Sequence, residues 1–302
     1  MKIKLMAISN NLEIDWLTKY TGDPFADTGG LVIKYLWSLP HLKDKDILGL
    51  VDYAANIYVN KWDGKLHAFF LNSRITQPAF KGQRKIDESL KYYKALVDET
   101  ESYQEGYCRI SGQKVKLFPA GRDNHILSGS GTFVNFHHNF EPGLYLSKEI
   151  LIRIFFVPLG LVQLNDKVAM LSSNYEKVTE FFVKRNCKEN LNAISNNTAE
   201  GVLRSEFNNP ANALFNFADT YLNTHLKMLL AGDEEVLFNE ADVTLNLYHF
   251  TNFGASPEVI LHALESKVFK FYAFCNRITI KKDWNKFLRY NYRKLQAQRS
   301  FF

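Results

Sequence analysis

Asp23 and Asp27 stand four residues apart in the stretch Tyr20-Thr21-Gly22-Asp23-Pro24-Phe25-Ala26-Asp27-Thr28-Gly29-Gly30. Two carboxylates at that spacing can hold a hard cation such as Mg²⁺. In a turn rich in Gly and Pro they are better suited to capping, and Asp27 is placed to cap a helix over Leu31 to Leu39. His137 and His138 are adjacent, so on a strand they point to opposite faces and do not share one metal. Residues 124–131, Asn-His-Ile-Leu-Ser-Gly-Ser-Gly, are glycine-rich. They lack the Gly-Lys-Ser/Thr of a phosphate loop and the spacing of a dinucleotide fingerprint. No HExxH, GxSxG or Cys-Gly nucleophile signature is present. The residues therefore supply no catalytic group, no metal site and no cofactor site, and the chain reads as a non-enzyme.

The three cysteines, Cys108, Cys187 and Cys275, lie far apart and form no CxxC pair. Neither a zinc site nor a disulfide framework is visible, and scattered thiols fit a reducing cytoplasm. Met1 to Leu5 opens a short apolar run without the long core of a signal peptide. The apolar run Ile150 to Leu164 is broken by Arg153 and Pro158 and is too short for a membrane span. A soluble, cytoplasmic protein is expected.

Charge is uneven along the chain. The net charge is only +5, but Lys267 to Phe302 holds Lys267, Lys270, Arg277, Lys281, Lys282, Lys286, Arg289, Arg293, Lys294 and Arg299 against the single acid Asp283. Such a segment attracts polyanions, with salt-dependent binding. Aromatic residues make up 14% of the chain, with 24 Phe and 15 Tyr. Core packing is their default fate; stacking on unpaired bases is the alternative.

The elements that position these residues follow from periodicity. Leu31 to Leu39 is expected to be helical and to end at Pro40. Asp46 caps a second helix with apolar positions Ile47, Leu50, Val51, Ala54 and Ile57. Asp87 opens a third, through Leu90, Tyr93 and Val97. Lys114-Val115-Lys116-Leu117-Phe118 alternates like a half-exposed strand. Leu161 to Leu171 reads as a hairpin turning at Asn165-Asp166. Helices are expected at Tyr175 to Asn186, from Pro210 to Leu230, after Ser256-Pro257, and from Asp283 to Leu295. Asn190 to Asn209 reads as a polar surface loop. Val243 to Tyr248 is the clearest strand. The class is α+β: helical N- and C-terminal parts around a β-rich middle. The 302 residues read as one large body, divisible into a helical part (1–105), a β-rich, Gly-rich insert (106–172) and a mostly helical part (173–302).

An ordered series of motifs resembles the large subunit of type I-B CRISPR Cascade complexes, the CXXC-CXXC family. Gly22, Pro24, Phe25, Asp27 and Gly29 match a Gly-x-Pro-Phe-x-Asp-x-Gly pattern entering a helix. Cys108-Arg109-Ile110-Ser111-Gly112 stands where Cys-x-x-Cys-Gly is expected. Gly129 to Asn135-Phe136 follows, then Leu144-Tyr145-Leu146-Ser147-Lys148-Glu149-Ile150 in place of Leu-x-Leu-Cys-x-x-Cys. Tyr248-His249-Phe250-Thr251-Asn252-Phe253-Gly254 continues the series. Three of the four expected cysteines are thus Ser111, Ser147 and Ile150. The zinc-knuckle-like element is degenerate, to be held by packing or hydrogen bonds, with Cys108 a small buried hydrophobe.

The resemblance implies a non-catalytic, DNA-binding subunit of a crRNA-guided surveillance complex in antiviral defence. Such a subunit recognises the protospacer-adjacent motif, promotes duplex opening and recruits the helicase-nuclease. The implied partners are crRNA, double-stranded target DNA, the helicase-nuclease, and the backbone, crRNA-end-binding and small subunits; no membrane is implied. Large subunits of this group continue into a C-terminal helical bundle, here expected to be missing or supplied by the small subunit. Base and backbone reading falls to the Gly-rich middle: Lys114, Lys116, Arg122, Asn124, His125, Ser128, Ser130 and Asn135. Arg289, Arg293 and Lys294 could follow a displaced strand or a neighbouring subunit. The alternative is a scaffold that binds guide RNA and partner proteins without reading DNA.

Overall fold

An Asp-Pro step opens the first of the α-helices described. In a computed structural model, which describes residues 12–126, 144–230, 243–251 and 258–268, helix α1 spans Pro24–Ser38. The Asp23 carboxylate accepts the Ala26 N–H at 2.7 Å, and Pro24 takes the first helical position. Proline tolerates that place because its missing N–H would be unpaired there anyway. The cap is therefore Asp23. The expectation that Asp27 caps a helix beginning near Leu31 is corrected: Asp27 lies within the first turn, and its carboxylate has other work.

Helix α2 (Ile47–Asn56) is capped by Asp46, whose carboxylate accepts the Gly49 N–H at 2.7 Å, and continues into a π-turn (Ile57–Lys61). Helix α3 (Gln83–Val97) starts before Asp87, after Gly82 at φ 49°. Asp87 instead accepts from the Gln83 amide one turn back, at 3.0 Å.

Strands β1 (Gln104–Tyr107), β2 (Lys114–Ala120) and β3 (Leu144–Leu146) form an antiparallel sheet in that order. Tyr107 lies opposite Lys114, and Phe118 opposite Leu146. Helix α4 (Lys148–Phe156) follows at once, so the segment expected to be β-rich carries a buried helix at its centre. The hairpin of β4 (Val162–Leu164) and β5 (Lys167–Ser173) turns at Asn165-Asp166, with Asn165 at φ 59°. Further helices among the described residues are α5 (Glu176–Ser195) and α6 (Pro210–Leu230).

Two further expectations are corrected. The helix anticipated after Pro257 is strand β7 (Glu258–Leu264), paired along its whole length with β6 (Leu245–Thr251). Val259 and Ile260 favour a pleated surface, and pairing with β6 overrides the local start signal. The second sheet is thus β4-β5-β6-β7, and the C-terminal part supplies half of it. The polar run from Asn190 is helical to Ser195. Asn190 is buried and donates to the carbonyls of Leu159 and Leu161 at 3.0 and 3.1 Å, and its Oδ1 accepts the Leu203 N–H at 2.8 Å. The helix anticipated from Asp283 lies outside the described residues.

One large apolar cluster joins α1, α2, α3, α4 and the first sheet, and includes Phe118, Phe155, Cys187 and Phe250. A second lies between the second sheet and helices α5 and α6, and includes Phe182, Phe217 and Leu247. Among the described residues no helix is long and apolar enough to cross a membrane.

Candidate nucleic-acid interface

Residues of the first and last stretches of the series meet in space. The Phe25 ring lies 5.3 Å from that of Phe250, nearly perpendicular, and 6.0 Å from that of Tyr248. Such aromatic contacts are worth about 0.5–1.5 kcal/mol beyond the area they bury. Asn252 to Gly254 lie outside the described residues.

Asp27 is the hub of this end of the molecule. It accepts the Thr21 N–H and hydroxyl at 2.8 and 2.7 Å, the Gly22 N–H at 2.8 Å and the Arg153 guanidinium at 2.8 Å. Arg153 is fully buried and also donates to the carbonyls of Ala26, Trp16 and Lys19 at 2.7, 3.2 and 2.8 Å. A buried pair survives only when its remaining hydrogen bonds are met, as here. Helices α1 and α4 cross so closely that a Cβ on Gly29 would lie 2.0 Å from the Arg153 carbonyl oxygen. The signature residues Gly22, Asp27 and Gly29 therefore build an inter-helix joint. The Asp27 carboxylate is already occupied by donors and is not arranged for a cation.

The residues standing at the four expected cysteine positions lie close together. Residues 108–113 form the loop of the β1–β2 hairpin, with Gly112 at φ 70° and its N–H donating to the Cys108 carbonyl at 2.8 Å. The buried Cys108 sulfur accepts N–H groups from both halves of the element, Ser111 at 3.5 Å and Ser147 at 3.4 Å. Ser147 is the cap of α4, its hydroxyl accepting the Ile150 N–H at 3.4 Å. Cys108, Ser111, Ser147 and Ile150 thus converge through hydrogen bonds. Among the described residues no group of three or more His, Cys, Asp or Glu is placed to hold a metal ion.

The residues expected to read nucleic acid separate into distinct environments. Lys114 is exposed at the start of β2. Lys116 is bound to Glu99 at 2.5 Å, with its ammonium 4.6 Å from the Tyr103 ring centre. Glu99 also pairs at 2.5 Å with Lys148, which is buried. Burial acts to raise the Glu99 carboxyl, but the hydrogen bonds and charges of Lys116 and Lys148 outweigh it and hold the group below its ordinary range.

Asn124 is buried and closes the turn after β2. Its Oδ1 accepts the Gly121 N–H at 2.8 Å, and its amide donates to the Tyr92 hydroxyl at 2.6 Å and the Pro119 carbonyl at 3.0 Å. Arg74 fastens the same turn, with an ion pair to Asp123 at 3.0 Å and its guanidinium 3.9 Å from the Tyr92 ring centre. Burial pushes the His125 pKa down to about 4, so its ring is neutral at physiological pH. Arg122 is half-buried in the same turn. Of the residues expected to read bases or backbones, Asn124 is thus a buried, turn-forming residue and Lys116 a partly exposed ion-pair partner. Ser128, Ser130, Asn135, Arg289, Arg293 and Lys294 lie outside the described residues.

Sequence reasoning missed Tyr103 and Tyr107, which are 46% and 67% exposed. Tyr107 is the cross-strand partner of Lys114. The available signal was their spacing: Tyr103 and Tyr107 are four residues apart, which returns both to one face of an extended chain. Comparison of the chain with protein-family models, with curated proteins and with solved structures returns no match.

Proposed function

We propose that this chain is a non-catalytic large subunit of a crRNA-guided DNA surveillance complex acting in antiviral defence in the cytoplasm. In this reading it recognises the protospacer-adjacent motif, promotes duplex opening and recruits the helicase-nuclease. Guide pairing supplies the long sequence specificity, and the protein holds backbones and a few base pairs. The observation that carries the reading is the convergence of the four knuckle positions, two N–H groups from separate segments meeting on the Cys108 sulfur. The contact of Phe25 with Tyr248 and Phe250 adds to it, because it joins the first and last members of the motif series.

A scaffold role, binding guide RNA and partner subunits without reading DNA, draws support from a different observation. Asn124 is buried in a turn and Lys116 is paired with Glu99, which leaves fewer side chains for base edges.

Gel shift of the purified assembly on duplexes that differ only in the flanking motif separates the two. The reader role predicts a motif-dependent affinity; equal binding to every duplex assigns the scaffold role. The resemblance itself has an independent test. Installing Ser111→Cys, Ser147→Cys and Ile150→Cys together should let the chain take up one zinc ion, since tetrahedral thiolate sites need four such ligands. A folded triple variant that binds none contradicts the knuckle reading.

A further inference from the structure

The solvent face of the β1–β2 hairpin combines aromatic rings with lysines. Side chains of residues directly opposite in an antiparallel pair lie on the same face, their Cβ atoms about 4.5–5.5 Å apart. Tyr107 opposite Lys114, and Glu105 opposite Lys116, therefore share one face. Tyr103 joins them, its ring beneath the Lys116 ammonium. Tyr107 is the most exposed of the large hydrophobic residues described, at 67%, and Lys114 beside it is exposed. Arg109 follows on the exposed side of the loop.

Contacts tie this hairpin to the helical body. Its loop is the knuckle, fastened through Cys108 to the start of α4 by the Ser147 N–H. On the opposite face a Cβ on Gly106 would lie 3.1 Å from Leu117, so β1 sits tightly on its neighbour. Charge is graded along the strand. Glu105 and the Glu99 pair neutralise the Tyr103 end, while Lys114 stands opposite Tyr107. A flat ring with a cation at one side suits a base stacked on the ring and its phosphate on the cation. Duplex bases are already stacked on one another and cannot offer a face to a single side chain, so an unpaired strand is the ligand that fits.

We propose that Tyr107, flanked by Lys114, is a stacking platform for one unpaired nucleotide. This rests on the nucleic-acid reading above and names the part of the chain that would meet a single strand. DNA and RNA share the required chemistry, a base face and a phosphodiester.

The test is fluorescence-anisotropy titration of the full chain with labelled oligo-dT, oligo-rU and a duplex of equal length. Tyr107→Ala should weaken single-strand binding roughly 5- to 150-fold, the range set by loss of one base–aromatic stack. Tyr107→Phe should bind as the parent does, and Tyr20→Ala, an exposed tyrosine elsewhere, should change nothing. Lys114→Ala should lower the salt dependence by about 0.7 in the log–log slope, one phosphate on a single strand. An oligonucleotide carrying 5-iodouracil should crosslink to Tyr107 under ultraviolet light, read by mass spectrometry. The dT and rU arms identify which strand is preferred. Equal binding by parent and Tyr107→Ala, or equal loss in Tyr20→Ala, overturns the platform while leaving the nucleic-acid reading in place. A parent chain that binds no strand and no duplex overturns both.

Discussion

The α1–α4 joint and the β1–β2 hairpin use charge in opposite ways. At the joint, Asp27 and Arg153 are buried, and donors and acceptors surround them on every side. At the hairpin, Lys114 and Tyr107 stand in solvent, beside a Glu99–Lys116–Lys148 cluster that is only partly enclosed. The first region holds the residues that look most like a motif, and they are architecture. The second holds residues that look ordinary in sequence, and they are the ones a ligand can reach. A dense local pattern can record how two helices pack rather than where a partner binds.

Removing the joint's cation gives the largest expected effect. Arg153→Met should cost about 3–5 kcal/mol, because Asp27 is left buried without its partner charge. The double variant Asp27→Asn with Arg153→Met should recover part of that loss, as measured by urea denaturation. A single variant as stable as the parent would mean that the joint is not the structural hub described here.

Next comes pH. The His125 ring has a folded pKa of about 4, against about 6.5 for an unfolded chain. Above pH about 6.5 both states are neutral and the native state carries no penalty. As the pH falls from there towards about 4, only the unfolded state gains the proton, so stability drops by on the order of 3 kcal/mol. The difference between the parent and His125→Gln across that window isolates the effect from the carboxyls of Asp23 and Glu149, which burial raises. Parallel stability curves for the two proteins would contradict it.

At the boundary between the regions, Glu99→Gln should cost about 1–3 kcal/mol, since the buried Lys148 loses its counter-charge. Thermal unfolding monitored by circular dichroism reads this directly. The smallest stability effect belongs to the exposed face: Lys114→Ala should change stability by less than about 0.5 kcal/mol. A larger loss would show that the hairpin face is packed like the joint, and the contrast between them would vanish.

Local signals were legible in the sequence. Asp46 at the start of α2, Pro210 at the start of α6 and the turn at Asn165-Asp166 all act within a few residues, so spacing alone reveals them. What escaped is non-local. Strand β7 follows a strong helix-start signal and is a strand because β6 lies beside it. Asn190 reads as loop-like, yet its amide serves carbonyls some thirty residues away. Arg153 reads as a break in an apolar run and proves to be the buried cation of the joint.

The candidate interface was legible only in part. Lys114 follows from strand alternation, whereas nothing in the neighbourhood of Lys116 announces Glu99, seventeen residues earlier, as its partner. Asn124 carries bidentate capacity, but the fold spends it on Gly121 and Tyr92. Tyr103 and Tyr107 disappear into an aromatic-rich composition until the hairpin register sets them beside lysines.

The most direct measurement is recovery of the tagged full-length chain from the cells that encode it, followed by extraction and sequencing of whatever nucleic acid travels with it. The account predicts short RNAs of uniform length that share repeat-derived ends, released by high salt together with backbone-forming subunits. A chain recovered alone, free of nucleic acid and indifferent to added single strands and duplexes, would contradict it.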